Sequence, residues 1–377
     1  MKSATGMRYA LIALLLLHGL IHLLGFVRAF HLAPVPQLTG QVLFGQPYGH
    51  LGGVLWMAVA LACLVAATLV LLRLPAWPVI LGAALLSQGL VLAAWPDARW
   101  GSVPNGVLVL VAVSGFAMAR FRSESEALSH LPVGPVGPVV TEADLAALPP
   151  PVARWLRRAG AVGHPIPRSV RLIQSGGLRT QPGARLMPAR AHQHFTTDPP
   201  AFVWAAEVSL FGLPIVGRDT WIEGRGRMLI RAAGLATLAD VADEKIDQGA
   251  LLRYLSELVW FPGAALHPAI TWAPAEGGDT SLDQRARATL TWGERTGTAE
   301  FRFDAEGRVQ SIHAQRYFGG GDTGRLEPWV VEITAWKILN TFEIPVEGDV
   351  LWRLPAGDFR YFPWRVEAIE YDERTDD

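Results

Sequence analysis

Four apolar stretches in the first 120 residues constrain this chain most strongly. They lie at residues 9–27, 51–72, 74–95 and 103–119, and none of them contains Lys, Arg, Asp or Glu. A helix needs about 20 residues to cross a bilayer core of roughly 30 Å. The sequence therefore predicts an α-helical transmembrane bundle of four spans in residues 1–121, of which the fourth is the shortest.

The formal net charge of −1 conceals two oppositely charged parts. Residues 1–120 hold six basic residues and one acidic residue, whereas the remainder holds 27 basic and 33 acidic residues. A single soluble domain is excluded by this division. Nucleic acid is disfavoured as a partner because the more polar part is acidic. Cys63 is the only cysteine, so a disulfide-stabilised scaffold is excluded as well.

Basic residues beside the apolar stretches predict the orientation of the chain. Short loops that carry Lys and Arg stay on the cytoplasmic side of a membrane. Five such residues flank one side of the predicted membrane and two flank the other: Lys2, Arg8, Arg73, Arg120 and Arg122 against Arg28 and Arg99. We therefore expect both termini and the soluble domain in the cytoplasm. If the fourth stretch did not insert, the second part would lie on the opposite side.

Two histidines are the main polar feature of the predicted bundle. His18 and His22 are four residues apart, so they share one face of a helix. Such imidazoles can hydrogen-bond to a neighbouring helix, with Gln88 as a partner, or bind a metal or haem iron, or relay protons. No acidic or thiolate ligand stands near them, and the sequence predicts no cofactor.

A Pro- and Gly-rich segment follows the apolar part. Repeated Pro and Gly at residues 131–138 disfavour both helix and strand, so residues 122–150 are predicted to form a linker. Beyond residue 166 the hydrophobic period is two, which is typical of strands with one buried face and is clearest at residues 285–292. Residues 151–377 are therefore predicted to form a soluble, mainly antiparallel β domain of roughly ten strands.

One amphipathic helix interrupts the predicted strands. It is expected over residues 248–259 after an Asp247 cap, with an apolar stripe of Leu251, Tyr254, Leu255 and Leu258. An antiparallel sheet with one central helix has two solutions. The sheet either curves into a half-barrel around the helix, or forms a sandwich-like stack of two sheets with the helix as a lid.

Ten of the 14 tryptophans fall in the predicted β domain. An aromatic concavity that stays open accepts an apolar ligand, and the ligand-cavity candidates are Trp204, Trp221, Trp292 and Tyr254. The alternative is that these rings fill a large core.

Two groups of charged residues are candidates for a catalytic site. Asp219 and Glu223 share a strand face by parity and could act as acid and base or bind a hard cation. Arg253 and Glu257 are four apart on the predicted helix, and they would form part of a site if the sheet buried them. The alternatives are ordinary turn chemistry for the first pair and a surface ion pair for the second.

A third group consists of histidines on a predicted strand. His192 and His194 share one strand face, and a metal would need a further ligand such as His313 or a carboxylate. The spacing of two histidines is by itself a weak signal, so no metal site is assigned on it.

Several motifs resemble an uncharacterised family of bacterial proteins known only as a domain of unknown function. They are the run HGLIHLLGF in the first apolar stretch, PPAFVW from Pro199, RD at Arg218 leading to GRG at Gly224, and RYLSELVWFP from Arg253. The resemblance implies a multi-pass membrane region joined to a soluble domain, and attaches no reaction to it. We expect the chain in the bacterial inner membrane.

These observations favour a binding protein over an enzyme. The leading hypothesis is that the β domain binds a lipophilic ligand or a protein partner at the membrane surface. The alternatives are a membrane-tethered enzyme with an acidic and Arg-containing site, and a His-dependent metal or haem protein.

Overall fold

The computed structural model describes residues 2–36, 38–39, 49–210, 212–275, 284–319 and 323–372. The chain divides into two compact units. The helical unit comprises Met1–Phe121 with the short segments Phe211–Leu213 and Ala233–Ala236, and the β unit comprises Arg122–Leu210, Pro214–Ala232 and Thr237–Asp377.

Apolar sequence produces long helices in the first part of the chain. The helices are α1 (Lys2–Ala29), α2 (His50–Leu72), α3 (Trp77–Ala93), the short α4 (Trp95–Ala98) and α5 (Ser102–Ser129). Three segments are long and apolar enough to cross a membrane: Thr5–Ala29, His50–Leu72 and Trp95–Ser129. The third predicted span falls on α3, an apolar helix of only 17 residues. The shortest candidate is therefore the third stretch and not the fourth.

Helices α1 and α2 approach each other closely at small residues. A Cβ atom added to Gly25 would lie 2.5 Å from the Trp56 ring. Close packing at small residues is the usual mode of helix association in an apolar environment. Leucines on other faces of these helices, such as Leu20 and Leu61, remain exposed. The helical unit therefore presents an apolar exterior.

The β unit contains one antiparallel sheet of 13 strands in the order β6-β5-β4-β3-β2-β1-β13-β12-β11-β10-β9-β8-β7. The strands are β1 (Ser169–Leu178), β2 (Met187–Thr197), β3 (Pro200–Leu210), β4 (Leu213–Ile222), β5 (Arg225–Ala232), β6 (Ala236–Val241), β7 (Ile270–Pro274), β8 (Arg285–Trp292), β9 (Arg295–Phe303), β10 (Val309–Phe318), β11 (Arg325–Leu339), β12 (Phe342–Leu354) and β13 (Gly357–Tyr371). Two meanders are joined where β1 pairs with β13. The sheet curls into a half-barrel, so the curved alternative is confirmed over the two-sheet stack.

The α-helices in the described part of the β unit are α6 (Pro150–Arg158) and α7 (Glu244–Glu257), and short 3-10 helices follow α7 at Leu258–Trp260 and Pro262–Leu266. Helix α7 packs against β3 and β5 from one half of the sheet and against β8, β9 and β10 from the other. Gly297 on β9 permits this approach, because a Cβ there would collide with Leu251 of α7. The curled sheet therefore encloses its helix, and Tyr254, Leu255 and Leu258 are buried.

Helix α7 begins four residues before its predicted start. The Asp243 side chain accepts a hydrogen bond from the Ile246 N–H at 2.9 Å and caps the helix. Asp247 lies inside the first turn and accepts from the Gly226 N–H at 2.7 Å. The predicted Asp247 cap is wrong because an acceptor four residues earlier does the capping, and Asp247 ties the helix to β5.

The predicted linker is partly helical and partly attached to the sheet. Helix α5 continues to Ser129, so residues 122–129 are helical. Beyond them, the Gly134 N–H donates to the Asp198 carbonyl at 2.8 Å and the Gly137 N–H donates to the Ile166 carbonyl at 3.1 Å. Pro and Gly prevent regular structure here, but backbone hydrogen bonds hold this segment against the β unit.

Candidate functional site

A largely buried arginine on α7 connects two carboxylates and an amide. Arg253 Nη1 lies 3.0 Å from Asp219 Oδ2, and its Nε lies 2.9 Å from Glu257 Oε1. Its Nη2 lies 3.3 Å from Gln193 Oε1, and the Gln193 amide donates to Glu257 Oε2 at 2.7 Å. We call these four residues the Arg253 cluster. It brings together strands β2 and β4 and helix α7.

Aromatic rings cover one side of the Arg253 cluster. The Arg253 Cζ atom lies 4.8 Å from the centroid of the Trp204 ring and 5.1 Å from that of Phe202. The Trp204 Nε1–H in turn donates to Gln174 Oε1 at 3.3 Å. A guanidinium that stacks on rings and pairs with carboxylates is held in one orientation.

Local sequence explains how these side chains meet. Gln193 and Trp204 are directly opposite each other in the pairing of β2 with β3, so both point to the inner face. Gln193 is fully buried between Ala191 and Phe195 of the same face. A polar residue on a buried strand face needs a hydrogen-bond partner. A glutamine between two apolar residues of one strand face is therefore the sequence signal that could have identified Gln193.

A cleft of about 60 Å³ opens beside the Arg253 cluster. We call it the Arg316 cleft, and its polar lining includes Asp219, Arg227, Lys245, Arg253, Arg316 and Tyr317. Apolar atoms of Phe202, Met228 and Ala250 complete its wall. Arg227 is opposite Thr220 in the pairing of β4 with β5, so its side chain lies on the other face of the sheet from Asp219. The remaining cations of the lining, Lys245, Arg253 and Arg316, outnumber the single carboxylate, which is an excess of positive charge.

Arg316 on β10 is the least compensated of these cations. Its Cζ atom lies 5.0 Å from the centroid of the Trp329 ring, and its guanidinium lies against Gly249, where a Cβ atom would be 2.9 Å from Nε. Arg227 pairs with Asp240 at 2.8 Å, and Lys245 Nζ donates to the Gly324 carbonyl at 3.1 Å. Arg316 has no carboxylate within 4.0 Å in the part of the chain that the structure describes.

Burial shifts the acid groups of the Arg253 cluster towards their neutral forms. It raises the pKa of Asp219 and that of Glu257 above their ordinary values, although Arg253 and Arg316 act in the opposite direction on both. Of the two, Asp219 lines the cleft, whereas Glu257 does not. Asp219 is therefore the carboxylate that faces any molecule in the cleft, beside Arg253, Arg316 and Lys245.

The second predicted carboxylate lies away from this arrangement. Glu223 occupies the turn after β4 with φ of 53° and does not line the Arg316 cleft. Because the strand ends at Ile222, the parity that placed Glu223 on the same face as Asp219 no longer applies. The structure therefore brings Asp219 together with Arg253 and Glu257 and leaves Glu223 in the turn.

The aromatic candidates are divided between the core and the cluster. Trp221 and Tyr254 are fully buried and contact each other, with ring centroids 5.2 Å apart. The Tyr254 hydroxyl donates to the Thr196 carbonyl at 3.0 Å. Trp292 lies 6.1 Å from the His267 ring, and Trp204 stacks on Arg253. Trp221 and Tyr254 thus fill the core, which was the alternative to a ligand cavity.

The strand histidines do not converge with His313. His192 is exposed and His194 is half-buried on β2, whereas His313 lies on β10, and four strands separate β2 from β10 in the sheet. Within the described ranges no group of three or more His, Cys, Asp or Glu side chains could hold a metal ion.

The helical-unit histidines form hydrogen bonds between helices. His22 Nδ1 lies 2.8 Å from the His18 carbonyl, so this nitrogen donates and His22 Nε2 accepts from the Ser87 hydroxyl at 2.9 Å. His18 Nε2 lies 2.9 Å from Asn105 Oδ1 and therefore donates to it. The amide of Asn105 donates in turn to Gln88 Oε1 at 3.0 Å. Gln88 is thus linked to the histidines through Asn105.

Together these features define a class of protein: apolar helices joined to a half-barrel of 13 antiparallel strands that encloses a helix and a buried arginine cluster. Residues 138–364 match the model of a family of unknown function, DUF6544, and the chain belongs to this family. The resemblance to an uncharacterised family is thereby confirmed.

The chain is similar to a solved structure of a DUF1329 family protein from Desulfovibrio piger, with 7% identity, coverage of 55% of this chain and 87% of that chain, and a TM-score of 0.31. A search of curated proteins finds no match.

Proposed function

We propose that this chain is a multi-pass protein of the bacterial inner membrane, with four spans and a cytoplasmic β unit. The three long apolar segments and the shorter apolar α3 support the spans. The basic residues that flank them support the orientation.

The β unit, in this proposal, binds a ligand through an anionic group in the Arg316 cleft. The observation that carries it is Arg316, a half-buried guanidinium in a cleft that it shares with Arg253 and Lys245. A half-buried guanidinium that has no carboxylate partner is stabilised by a counter-charge that also accepts its hydrogen bonds. A bound phosphate or carboxylate would supply both.

The size of the cleft supports one small anionic group. One buried water needs roughly 10–15 Å³ of cavity volume. The cleft of about 60 Å³ therefore holds a few waters or one phosphate-sized group. Such a group is the head of an acidic lipid or a free anion. An acidic lipid would agree with the predicted lipophilic ligand. Its headgroup would lie in the Arg316 cleft, whereas the sequence analysis placed the ligand among the tryptophans.

The same geometry favours binding over the alternative of an enzyme. General acid–base catalysis by two carboxylates requires both of them to reach the substrate. Asp219 faces the cleft, but Glu257 is engaged with Arg253 and Gln193 behind it. Asp219 therefore serves to orient Arg253.

Anion binding to the full-length protein in detergent tests this proposal. Line broadening in phosphorus NMR of inorganic phosphate reports binding of a free anion, and native mass spectrometry reports a retained phospholipid. Arg316→Gln should weaken either form of binding by roughly 10- to 100-fold, because a charge-assisted hydrogen bond is worth about 1.5–3 kcal/mol.

An exposed arginine provides the matched control. Arg365 pairs with Glu347 at 3.0 Å on the surface, and Arg365→Gln should leave binding unchanged. A phospholipid that is retained, displaced by phosphate and lost in Arg316→Gln would identify a headgroup. Phosphate binding without retained lipid would identify a free anion. The proposal would be contradicted if the protein neither bound phosphate nor retained a phospholipid. Equal binding by Arg316→Gln and Arg365→Gln would contradict it as well.

A further inference from the structure

Two neighbouring hairpins of the sheet end in uncharged, apolar tips. Residues 208–217 around the β3–β4 turn and residues 232–239 around the β5–β6 turn contain no charged residue. Leu213 is 44% exposed, Leu235 is 49% exposed and Leu238 is 61% exposed. Exposed apolar side chains that cluster at one place, unlike scattered ones, indicate an interaction surface.

The strand register places both tips at the same end of the sheet. Ile215 near the start of β4 pairs with Ala232 at the end of β5, so the two turns are adjacent. The β1–β2 turn lies at this end as well, because Ala189 of β2 pairs with Val208 of β3. We call this end of the sheet, with the three turns, the tip edge.

The third turn of the tip edge contributes positive charge. The β1–β2 hairpin, residues 169–197, contains no Asp or Glu, and Arg179, Arg185 and Arg190 lie in its turn or close to it. Arg185 and Arg190 are exposed. Apolar tips beside a basic hairpin complement a bilayer with anionic headgroups: leucines enter the acyl boundary, and arginines remain among the phosphates.

We infer that the tips of the β3–β4 and β5–β6 hairpins insert into the lipid bilayer, with the β1–β2 hairpin on its anionic headgroups. The occupant of this surface is the lipid bilayer and not a second protein, because the charge pattern is that of a membrane surface and the chain carries helices of membrane-spanning length. This inference rests on the membrane attachment in the proposed function.

Site-specific fluorescence in nanodiscs tests the insertion. Cys63 is the only cysteine and is buried in the helical unit, so Cys63→Ala gives a background for single labels. An environment-sensitive fluorophore is attached to Leu213→Cys or to Leu235→Cys. The full chain is then placed in nanodiscs of equal parts phosphatidylcholine and phosphatidylglycerol, with or without bromine on the acyl chains. Bromine quenches only a fluorophore that touches the acyl region.

Three further labels make the result decisive. Leu61→Cys lies on an exposed face of α2 and reports membrane insertion of the helical unit. Glu223→Cys lies at the other end of β4, about 30 Å from Leu213 at about 3.3 Å per residue. Ile338→Cys is 73% exposed near the end of β11 that is remote from the tip edge, so it tests whether exposed apolar character alone causes quenching.

We expect bromine to reduce fluorescence at Leu213, Leu235 and Leu61, and to leave Glu223 and Ile338 unchanged. Quenching at Leu61 without quenching at either tip would overturn the inference while membrane attachment stands. No quenching at Leu61 would refute membrane attachment and the inference with it. Equal quenching at the tips and at Glu223 would also overturn it, because the label would then enter the bilayer regardless of position.

Discussion

Arg253 of α7 and Asp219 of β4 form an ion pair at 3.0 Å, although 34 residues separate them in the chain. Arg253 also holds Glu257 one turn further along its own helix. Two carboxylates therefore share one arginine, and a second arginine, Arg316, lines the same cleft. This arrangement couples the stability of the enclosed helix to the charge of the cleft.

Removal of the central cation should destabilise the β unit strongly. In Arg253→Met the Asp219 and Glu257 carboxylates lose their shared partner within the protein, and breaking a buried pair costs about 3–5 kcal/mol. Chemical unfolding of the full chain, followed by tryptophan fluorescence, measures the change. Arg365→Met removes an exposed pair and should cost at most about 1 kcal/mol. Equal losses in both variants would show that the Arg253 cluster is not buried.

A methyl group on α7 should impair anion binding without loss of stability. In Gly249→Ala the new Cβ would lie 2.9 Å from Arg316 Nε and displace the guanidinium from the cleft. Alanine favours a helix over glycine by up to about 1 kcal/mol, which offsets this displacement. Phosphate binding by NMR should weaken while the unfolding midpoint changes little. Gly52→Ala on α2 is the control: its new Cβ meets open space, so phosphate binding should not change. Undiminished phosphate binding by Gly249→Ala would argue against a role for Arg316.

Acid should destabilise the protein partly through His313. Burial lowers the pKa of His313 from 6.5 to about 4, and Arg302 and Arg353 act in the same direction. The unfolded chain therefore binds more protons than the folded chain between these values, and stability falls as the pH is lowered from 6.5 towards 4. The free energy of unfolding across this window should vary less with pH in His313→Gln. The exposed His130 provides the control, and parallel pH profiles for wild type and His313→Gln would refute the prediction.

The hydroxyl of Ser87 should stabilise the helical unit. It bonds to His22 Nε2 at 2.9 Å and lies 3.1 Å from His18 Nε2, so Ser87→Ala loses two contacts between helices. Hydrogen bonds between membrane helices are worth about 0.6 kcal/mol on average and up to about 1.7 kcal/mol. Thermal unfolding in detergent, followed by helical circular dichroism, should show a lower midpoint. Thr68→Ala on an exposed face of α2 is the control and should leave the midpoint unchanged. An unchanged midpoint in Ser87→Ala would mean that the Ser87 hydroxyl does not stabilise the helical unit.

Local patterns predicted much of the architecture. Long uncharged apolar runs predicted the helices of the first part, and alternation with period two predicted the antiparallel strands. The apolar stripe of residues 248–259 predicted the enclosed helix. These features depend on residues close together in the chain, so their periodicity is visible without the fold. The number of strands was underestimated because several half-exposed strands, such as β6, alternate weakly.

The candidate site could be predicted only in part. Asp219, Arg253 and Glu257 were singled out from their spacing, and the structure brings all three together. Gln193 and Arg316 were not singled out, because each lies on a strand that is remote in sequence from Arg253 and Glu257. The sheet register and its curvature around α7 place them in the site.

The sequence by itself determined that the chain has an apolar helical part, an acidic β part and the motifs of its family. Those properties follow from hydropathy, charge and spacing along the chain. Only the tertiary structure decided that Trp221 and Tyr254 fill the core, that Glu223 stays in a turn, and that Arg316 and Arg253 line one cleft. The physical reason is that burial and convergence depend on which distant strands pair and on how sharply the sheet curls.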